Sequence, residues 1–311
     1  MKILITSTPM LGMIGELRPF FDDKEVVIHC PEVVQAMKEE ELISIIPEYD
    51  GWIIGDDPAT YQVLEAGVHG NLKAAVKWGV GVDNVDFEAA EKLSIPIENT
   101  PDMFGNEVGD IVMSYITTLA RKTFLIDREV KAGMWPKPRG ISLADKVVGL
   151  VGFGNTGQAI AKRAYAADMH LIVYTRHPDN QTPAHLSSIE FSSWPNRVEE
   201  CDFIVLACSL NPSNWHMINE GILNQVKKGV RIVNTARGNL IEEAALVDAL
   251  RTGVVQSVAL DVYEKEPLPM DSQLRRFEQC ILGSHNASNT VDAVLRTSKI
   301  AIQKIFKLLE I

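Results

Sequence analysis

KVVGLVGFGNTGQAIAKRAYAADMHLIVYTR, residues 146–176, is the stretch on which the fold turns. It opens on a β-branched apolar run at 147–151 and passes through Gly152, Gly154 and Gly157, spaced as G-x-G-x-x-G. A helical pattern at 159–167 and a second apolar run at 171–174 follow. The glycine spacing alone is a weak signal; set between a strand and a helix, with another strand beyond, it carries a mechanism. Gly152 permits a tight turn, Gly154 lets a pyrophosphate approach the backbone, and Gly157 lets helix pack closely on strand. The N–H groups at the helix start, from Asn155, Thr156 and Gly157, have no partner within the helix. Aided by the helix dipole, they suit a dinucleotide's phosphates.

A site that prefers NAD usually has Asp or Glu about 20 residues further on, bonded to the ribose 2′-hydroxyl. Here Thr175 and Arg176 stand there, followed by His177. A guanidinium pairs bidentately with a 2′-phosphate, so the residues favour NADP over NAD. The alternative is that Arg176 is a solvated loop residue.

On both sides of this stretch, short apolar runs alternate with amphipathic ones, as in an α/β protein of parallel sheets. Strands are expected at 2–6, 25–29, 51–54 and 73–78, with helices at 59–66 and 87–92 between them. A long helix begins near Phe104, its apolar positions Val108, Ile111, Val112, Tyr115, Ile116 and Leu119 forming one broad face. Residues 131–143 read as a Gly/Pro-rich loop. A second series of strands is expected at 147–151, 171–174, 203–207, 231–234, 257–260 and 280–282, and a closing helix at 291–309.

The 311 residues suffice for two domains, and 46% hydrophobic residues suffice for their cores. A net charge of −11 argues against a nucleic-acid surface but leaves room for a local cationic pocket. No apolar span approaches the ~20 residues of a membrane helix, and MKILITSTPMLG is unlike a signal peptide, so the expected compartment is the cytoplasm. Cys30, Cys201, Cys208 and Cys280 are scattered without ligand spacing, which implies buried thiols and no metal.

Three later segments each put a polar group just beyond an expected strand, where open α/β sheets bind ligands. RIVNTARGNLIEE carries Arg237, VALDVYEKEPLP carries Asp261 and Glu266, and CILGSHNASNT carries His285. Singly, each is ordinarily a surface charge or a structural histidine; in this order they form a constellation. Together with KWGVGVDNVD at 77–86 and TPDMFGNEVGDI at 100–111, they make the chain resemble the D-isomer-specific 2-hydroxyacid dehydrogenases over nearly its full length.

The resemblance implies a flavodoxin-like substrate domain, residues 1–100 with 286–311. A doubly wound NAD(P)-binding Rossmann domain, 101–285, is inserted in it, with the reaction in the cleft between them. It implies that Arg237 holds the substrate's carboxylate and carbonyl oxygen and that His285 is the general acid–base. Glu266 would orient the imidazole, and Asp261 would lie on the nicotinamide side. Val80, Gly81, Val82 and Asn106 would contact the substrate, and Ser209, Thr235 and Ala236 the cofactor. The family's dimerisation through the cofactor domain implies a homodimer, with the segment around Trp135 in the contact. The expected function is hydride transfer between nicotinamide and a small 2-oxo/2-hydroxy acid. The alternative is a non-catalytic NAD(H)-sensing protein of the corepressor type, which keeps the same triad. Formate dehydrogenases pair their histidine with glutamine, so Glu266 disfavours that activity.

Substrate cues are divided. ACSLNP (207–212) and YTRHP (174–178) resemble glyoxylate/hydroxypyruvate reductases, whereas KWGVGVDNVD is closer to phosphoglycerate dehydrogenases. Asp56 and Asp57 in WIIGDDPAT would repel a substrate phosphate, which favours an unphosphorylated acid. With one helix beyond His285, no appended regulatory domain is expected.

Overall fold

The computed structural model describes residues 1–22, 24–176, 186 and 189–311. His177 and Pro178 of the YTRHP segment lie outside the described residues. The chain divides into two compact units, residues 1–103 with 289–311, and residues 104–288.

The first unit holds a parallel sheet of β1 (Lys2–Ile5), β2 (Val27–His29), β3 (Gly51–Ile54), β4 (Ala74–Lys77) and β5 (Ile97–Asn99), in the order β2-β1-β3-β4-β5. That is the flavodoxin-like order. Strands β3 and β4 are buried at every position, which is why they read as unbroken apolar runs rather than alternating ones. The three-residue IEN of β5 is half-buried and too short for any period to show. The terminal helix Val291–Leu308 packs on β3 and β4, its start capped by Thr290, whose hydroxyl accepts from the Ala293 N–H. Trp78 Nε1 donates to Ser298 Oγ at 3.0 Å, fastening this helix to the end of the sheet.

The adjacent carboxylates Asp56 and Asp57 prove unlike each other. Asp57 is fully buried, and its oxygens accept from Met37 N at 2.8 Å and Gly55 N at 2.9 Å. Burial pushes its pKa up, against the hydrogen bonds from Met37, Thr6 and Gly55 that pull it down. Asp56 is the more open of the two, and Lys77 Nζ lies 3.3 Å from it. The expectation that both would repel a substrate phosphate is therefore corrected. One is an internal brace and the other is offset by an ammonium.

The second unit holds β6 (Val147–Val151), β7 (His170–Tyr174), β8 (Glu190–Ser192), β9 (Phe203–Leu206), β10 (Val230–Asn234), β11 (Val255–Leu260) and β12 (Ile281–Leu282). All pair in parallel, in the order β12-β11-β10-β9-β6-β7-β8. Counted within the unit, this is the dinucleotide-binding order 3-2-1-4-5-6 with one further strand, and the order reverses between β6 and β9. The expected long helix runs Gly105–Arg121 and buries Val108, Val112, Ile116 and Leu119. It lies close on the helix Asn155–Ala166 because two of its positions lack side chains. A Cβ on Gly105 would stand 2.1 Å from Asn155 Oδ1, and one on Gly109 would stand 3.1 Å from Arg163 Nη1. Among the described residues, no helix is long and apolar enough to cross a membrane.

Asp57 gives a test of the first unit. Asp57→Asn leaves one of its two N–H donors without an acceptor and should cost about 1–3 kcal/mol in urea unfolding. The wild-type carboxyl, with its pKa raised by folding, loses stability as pH climbs through the folded-state pKa, and the amide does not. The deficit should therefore be largest in acid and narrow toward neutrality; a deficit that widened with pH would contradict the buried-carboxyl account.

Candidate active site

Loops leaving the carboxyl ends of β10, β11 and β12 carry Arg237, Glu266 and His285. Asp261 ties all three together. Its N–H donates to Asn234 O at 2.9 Å, and its own carbonyl accepts the His285 N–H at 2.7 Å. Its carboxylate Oδ2 accepts from Ala287 N at 2.7 Å. The Tyr115 hydroxyl, reaching over from the long helix, also hydrogen-bonds this carboxylate. Burial, reinforced by the neighbouring negative charge, pushes the phenol up to about 12. The sequence suggested that Asp261 faces nicotinamide; at 2% exposure its carboxylate is engaged with the chain itself.

The Arg237 turn is held by Asn234, a buried polar residue closing the strand β10. Asn234 Oδ1 accepts from Ala236 N at 3.0 Å, and its Nδ2 donates to Arg237 O at 2.8 Å. The turn backs directly onto the next loop, since a Cβ on Gly238 would fall 1.8 Å from the Tyr263 carbonyl carbon. Tyr263 in turn donates its hydroxyl to Leu260 O and Gly283 O, clamping the ends of β11 and β12.

Within this frame Glu266 and His285 meet. Glu266 Oε1 accepts from Tyr263 N at 3.0 Å, and Oε2 lies 2.7 Å from His285 Nδ1. The two side chains are only 20% and 26% exposed, so the pair is sheltered without being sealed. His285 takes a left-handed φ of 55°, unusual for a residue with a Cβ. Its N–H bond to Asp261 O holds it there, and such backbone is found where a side chain must be aimed.

The glycine turn follows β6 at the switch in strand order. Gly152 has φ of 102°, and a Cβ there would stand 2.6 Å from Ala207 O. A Cβ on Gly157 would stand 2.2 Å from Gly152 O, whereas one on Gly154 would meet nothing within 4 Å. Close packing thus requires two of the glycines, and the third borders open space. The helix Asn155–Ala166 starts there with no side-chain cap, and Thr235 Oγ1 is buried with no hydrogen-bond partner among the described residues. Uncapped amides beside open space and an unsatisfied hydroxyl one loop away fit a dinucleotide.

The other sequence candidates fall into two groups. Thr175 and Arg176 follow β7, and Ser209 follows β9, on the same sheet edge as the glycine turn. Arg176 stands near Cys208: burial pushes that thiol up to about 11, and the guanidinium pulls it back. Asn106, at the start of the long helix, has its Oδ1 accepting from Arg163 Nη2 at 3.4 Å. The side chain of Asn155 lies against Gly105. Val80, Gly81 and Val82 follow β4 in the first unit, where Val80 is exposed. Sequence reasoning missed Asn234, Tyr115 and Tyr263. Only Asn234 left a signal, as a polar residue directly after the apolar pair Ile232 and Val233 at a strand end.

A profile described as "D-isomer specific 2-hydroxyacid dehydrogenase, NAD binding domain" matches residues 113–287. The chain belongs to this family. It is 35% identical to the hydroxypyruvate reductase of Thermotoga maritima over 88% of this chain and 89% of that one. It is 31% identical to the glyoxylate reductase of Thermofilum pendens, over 90% and 86% of the two chains. Among solved structures, the NAD-dependent formate dehydrogenase of Staphylococcus aureus in complex with NAD superposes with a TM-score of 0.85 at 25% identity, covering 99% of this chain and 95% of that one. As a D-2-hydroxyacid dehydrogenase the chain is an oxidoreductase of CH–OH donors that takes a nicotinamide dinucleotide.

The glycine turn can be tested without turnover. Gly157→Ala drives a methyl into the Gly152 carbonyl, so NADH binding followed by fluorescence should weaken at least about tenfold. Unchanged affinity would mean that the dinucleotide binds elsewhere.

Proposed function

We propose that the chain reduces a small unphosphorylated 2-oxo acid, of the glyoxylate or hydroxypyruvate kind, to its D-2-hydroxy acid. The observation that carries the catalytic reading is the 2.7 Å pairing of His285 Nδ1 with Glu266 in a loop frame shared with Arg237. The names borne by the two reductase relatives support the choice of acid.

In this reading the Arg237 guanidinium, permanently charged and planar, holds the substrate carboxylate and polarises its carbonyl. The nicotinamide, when bound, supplies the hydride that C2 receives. With Nδ1 engaged by Glu266, Nε2 of His285 is the nitrogen that passes a proton to the carbonyl oxygen, which becomes the hydroxyl. Glu266 fixes the ring and stabilises the imidazolium before its proton leaves. In the oxidative direction the same nitrogen takes the proton back.

Arg176, exposed beyond β7 where an NAD-selective carboxylate would stand, supports a preference for NADPH. A homodimer is part of the proposal. The helix Thr123–Lys131 buries none of its residues, and Phe124, Met134 and Trp135 in and after it are 55%, 51% and 79% exposed. An apolar face of this kind on a folded unit calls for a partner, and a second copy is the simplest.

Following NADPH and NADH oxidation with glyoxylate, hydroxypyruvate, pyruvate and 3-phosphohydroxypyruvate tests the reading. Turnover should be best with the first two acids, and kcat/KM should favour NADPH about tenfold, a bias that Arg176→Ala removes. Arg237→Ala should abolish measurable rate, and His285→Ala should lower kcat by about 10²–10⁴. A rate that survived Arg237→Ala would show the anchor to be misassigned, and binding of NADH without any turnover would favour the sensor. For the dimer, Trp135→Glu should halve the mass found by light scattering. A wild type that is already monomeric would refute that part alone.

A further inference from the structure

The second unit contains a cavity of about 500 Å³ at the opposite edge of its sheet from the glycine turn and the His285 loop. Its walls come from the amino-terminal ends of β10 and β11, the segment leading into β12 and the last turn of the helix Gly105–Arg121. Arg237, Glu266 and His285 take no part in lining it. It is thus a separate feature within one unit.

A parallel sheet covered on both faces is normally apolar throughout. Here Arg231 of β10 is in register with Ser257 of β11 on one side and with Phe203 of β9 on the other. Registered neighbours in a sheet point to the same face, so a guanidinium and a hydroxyl lie side by side on the wall. The guanidinium sits over the Phe203 ring, 5.6 Å from its centroid. Ser257 is 5% exposed, and its Oγ has no hydrogen-bond partner among the described residues. The Nε of Arg231 is likewise buried and unpartnered. Burial draws the Arg231 pKa below its ordinary value, with Asp202 pulling the other way.

Buried donors left unsatisfied are costly and rare, and two adjacent ones on a cavity wall call for an acceptor. Leu119, Phe124, Leu125, Cys280, Ile281 and Leu282 make the apolar part of the wall. Thr118, Lys122, Gln256, Gln279 and the ion pair of Arg128 with Glu278, at 3.2 Å, which offsets that carboxylate's charge, complete it. The helix Thr123–Lys131 begins there without a side-chain cap, adding the positive end of a dipole. The volume lies within the range of small-molecule sites.

We propose that this cavity binds a small carboxylate with an apolar body, its oxygens taking the Arg231 and Ser257 donors and its body lying against Leu119 and Ile281. The site is distinct from the reaction site and does not depend on the substrate assigned above.

Benzoate serves as the probe, titrated calorimetrically into the assembled wild-type protein and two variants. Ser257→Ala removes the hydroxyl, and Arg231→Met keeps the stem while removing the charge. Benzoate should bind the wild type, with affinity falling about tenfold in the first variant and more in the second, where a charge-assisted bond is lost. Neither residue touches the reacting groups, so kcat/KM with glyoxylate should stay within about twofold in Ser257→Ala. Losing an unsatisfied buried hydroxyl should leave its unfolding midpoint unchanged or raised, which separates lost binding from lost folding. Equal affinity in all three proteins would place the benzoate elsewhere. Absence of binding to the wild type, including through closure of the cavity by a second copy, would equally overturn the proposal.

Discussion

Asp261 is the knot of the second unit. Through its N–H it holds the end of β10, through its carbonyl the His285 backbone, and through its carboxylate Ala287 and the Tyr115 hydroxyl. A carboxylate at 2% exposure would be an expense without such partners, because desolvation penalises the charge unless hydrogen bonds replace the lost water. Losing either donor to the carboxylate leaves a buried charge short of a partner, and breaking either backbone bond leaves a buried N–H or C=O unpaired. The bonds therefore fix the relative positions of three loops far more sharply than apolar packing could, since hydrogen bonds are directional and burial is not.

This fixation matters because proton transfer tolerates little displacement. In the proposed reaction the general acid must lie within hydrogen-bond reach of its acceptor, and the ring of His285 is set by two constraints. Its backbone is pinned in a left-handed conformation by Asp261 O, and its Nδ1 is held by Glu266. Glu266 is itself held by the Tyr263 N–H, and the main chain at Tyr263 lies hard against Gly238, next to Arg237. Arg237 and His285 are thus joined through main chain and one short side-chain bridge, that of Glu266. The glycine turn obeys the same logic at the other arm of the sheet edge, where Gly152 and Gly157 are fixed by close backbone approach and Gly154 is left open.

What the sequence disclosed follows from how local each signal is. The glycine turn was legible because a side chain at Gly152 or Gly157 would strike backbone, and Gly154 completes a spacing that shows in the letters. Arg237, Glu266 and His285 were legible because each closely follows an apolar run, and a parallel sheet gathers such positions at one edge. Tyr115 was not. It sits among the apolar positions of a helical stripe, and only the fold reveals that its hydroxyl meets a carboxylate 146 positions later in the chain. Asp56 and Asp57 look alike in sequence, but alternation at the end of β3 buries one and leaves the other more open. Strands β5 and β8 carry three residues each, too few for a period to emerge. Arg231 and Ser257 read as ordinary polar residues near strand starts; their cross-strand register makes them neighbours.

The helix Gly105–Arg121 spans both edges of this sheet. Its first residue meets Asn155 at the glycine turn, Tyr115 meets Asp261 in its middle, and Thr118 and Leu119 line the cavity near its end. Residues 115, 118 and 119 are three and four apart, so they share one helical face. A helix moves as a rigid rod over so short a length. A ligand seated against Leu119 that shifted the last turn would carry the Tyr115 hydroxyl with it, and that hydroxyl is bonded to the carboxylate on which the His285 loop depends. Coupling of this kind needs two arrangements of the helix that a ligand can favour unequally. Gly105 and Gly109 seat the same helix closely on the helix Asn155–Ala166, so the glycine turn is tied to the same element.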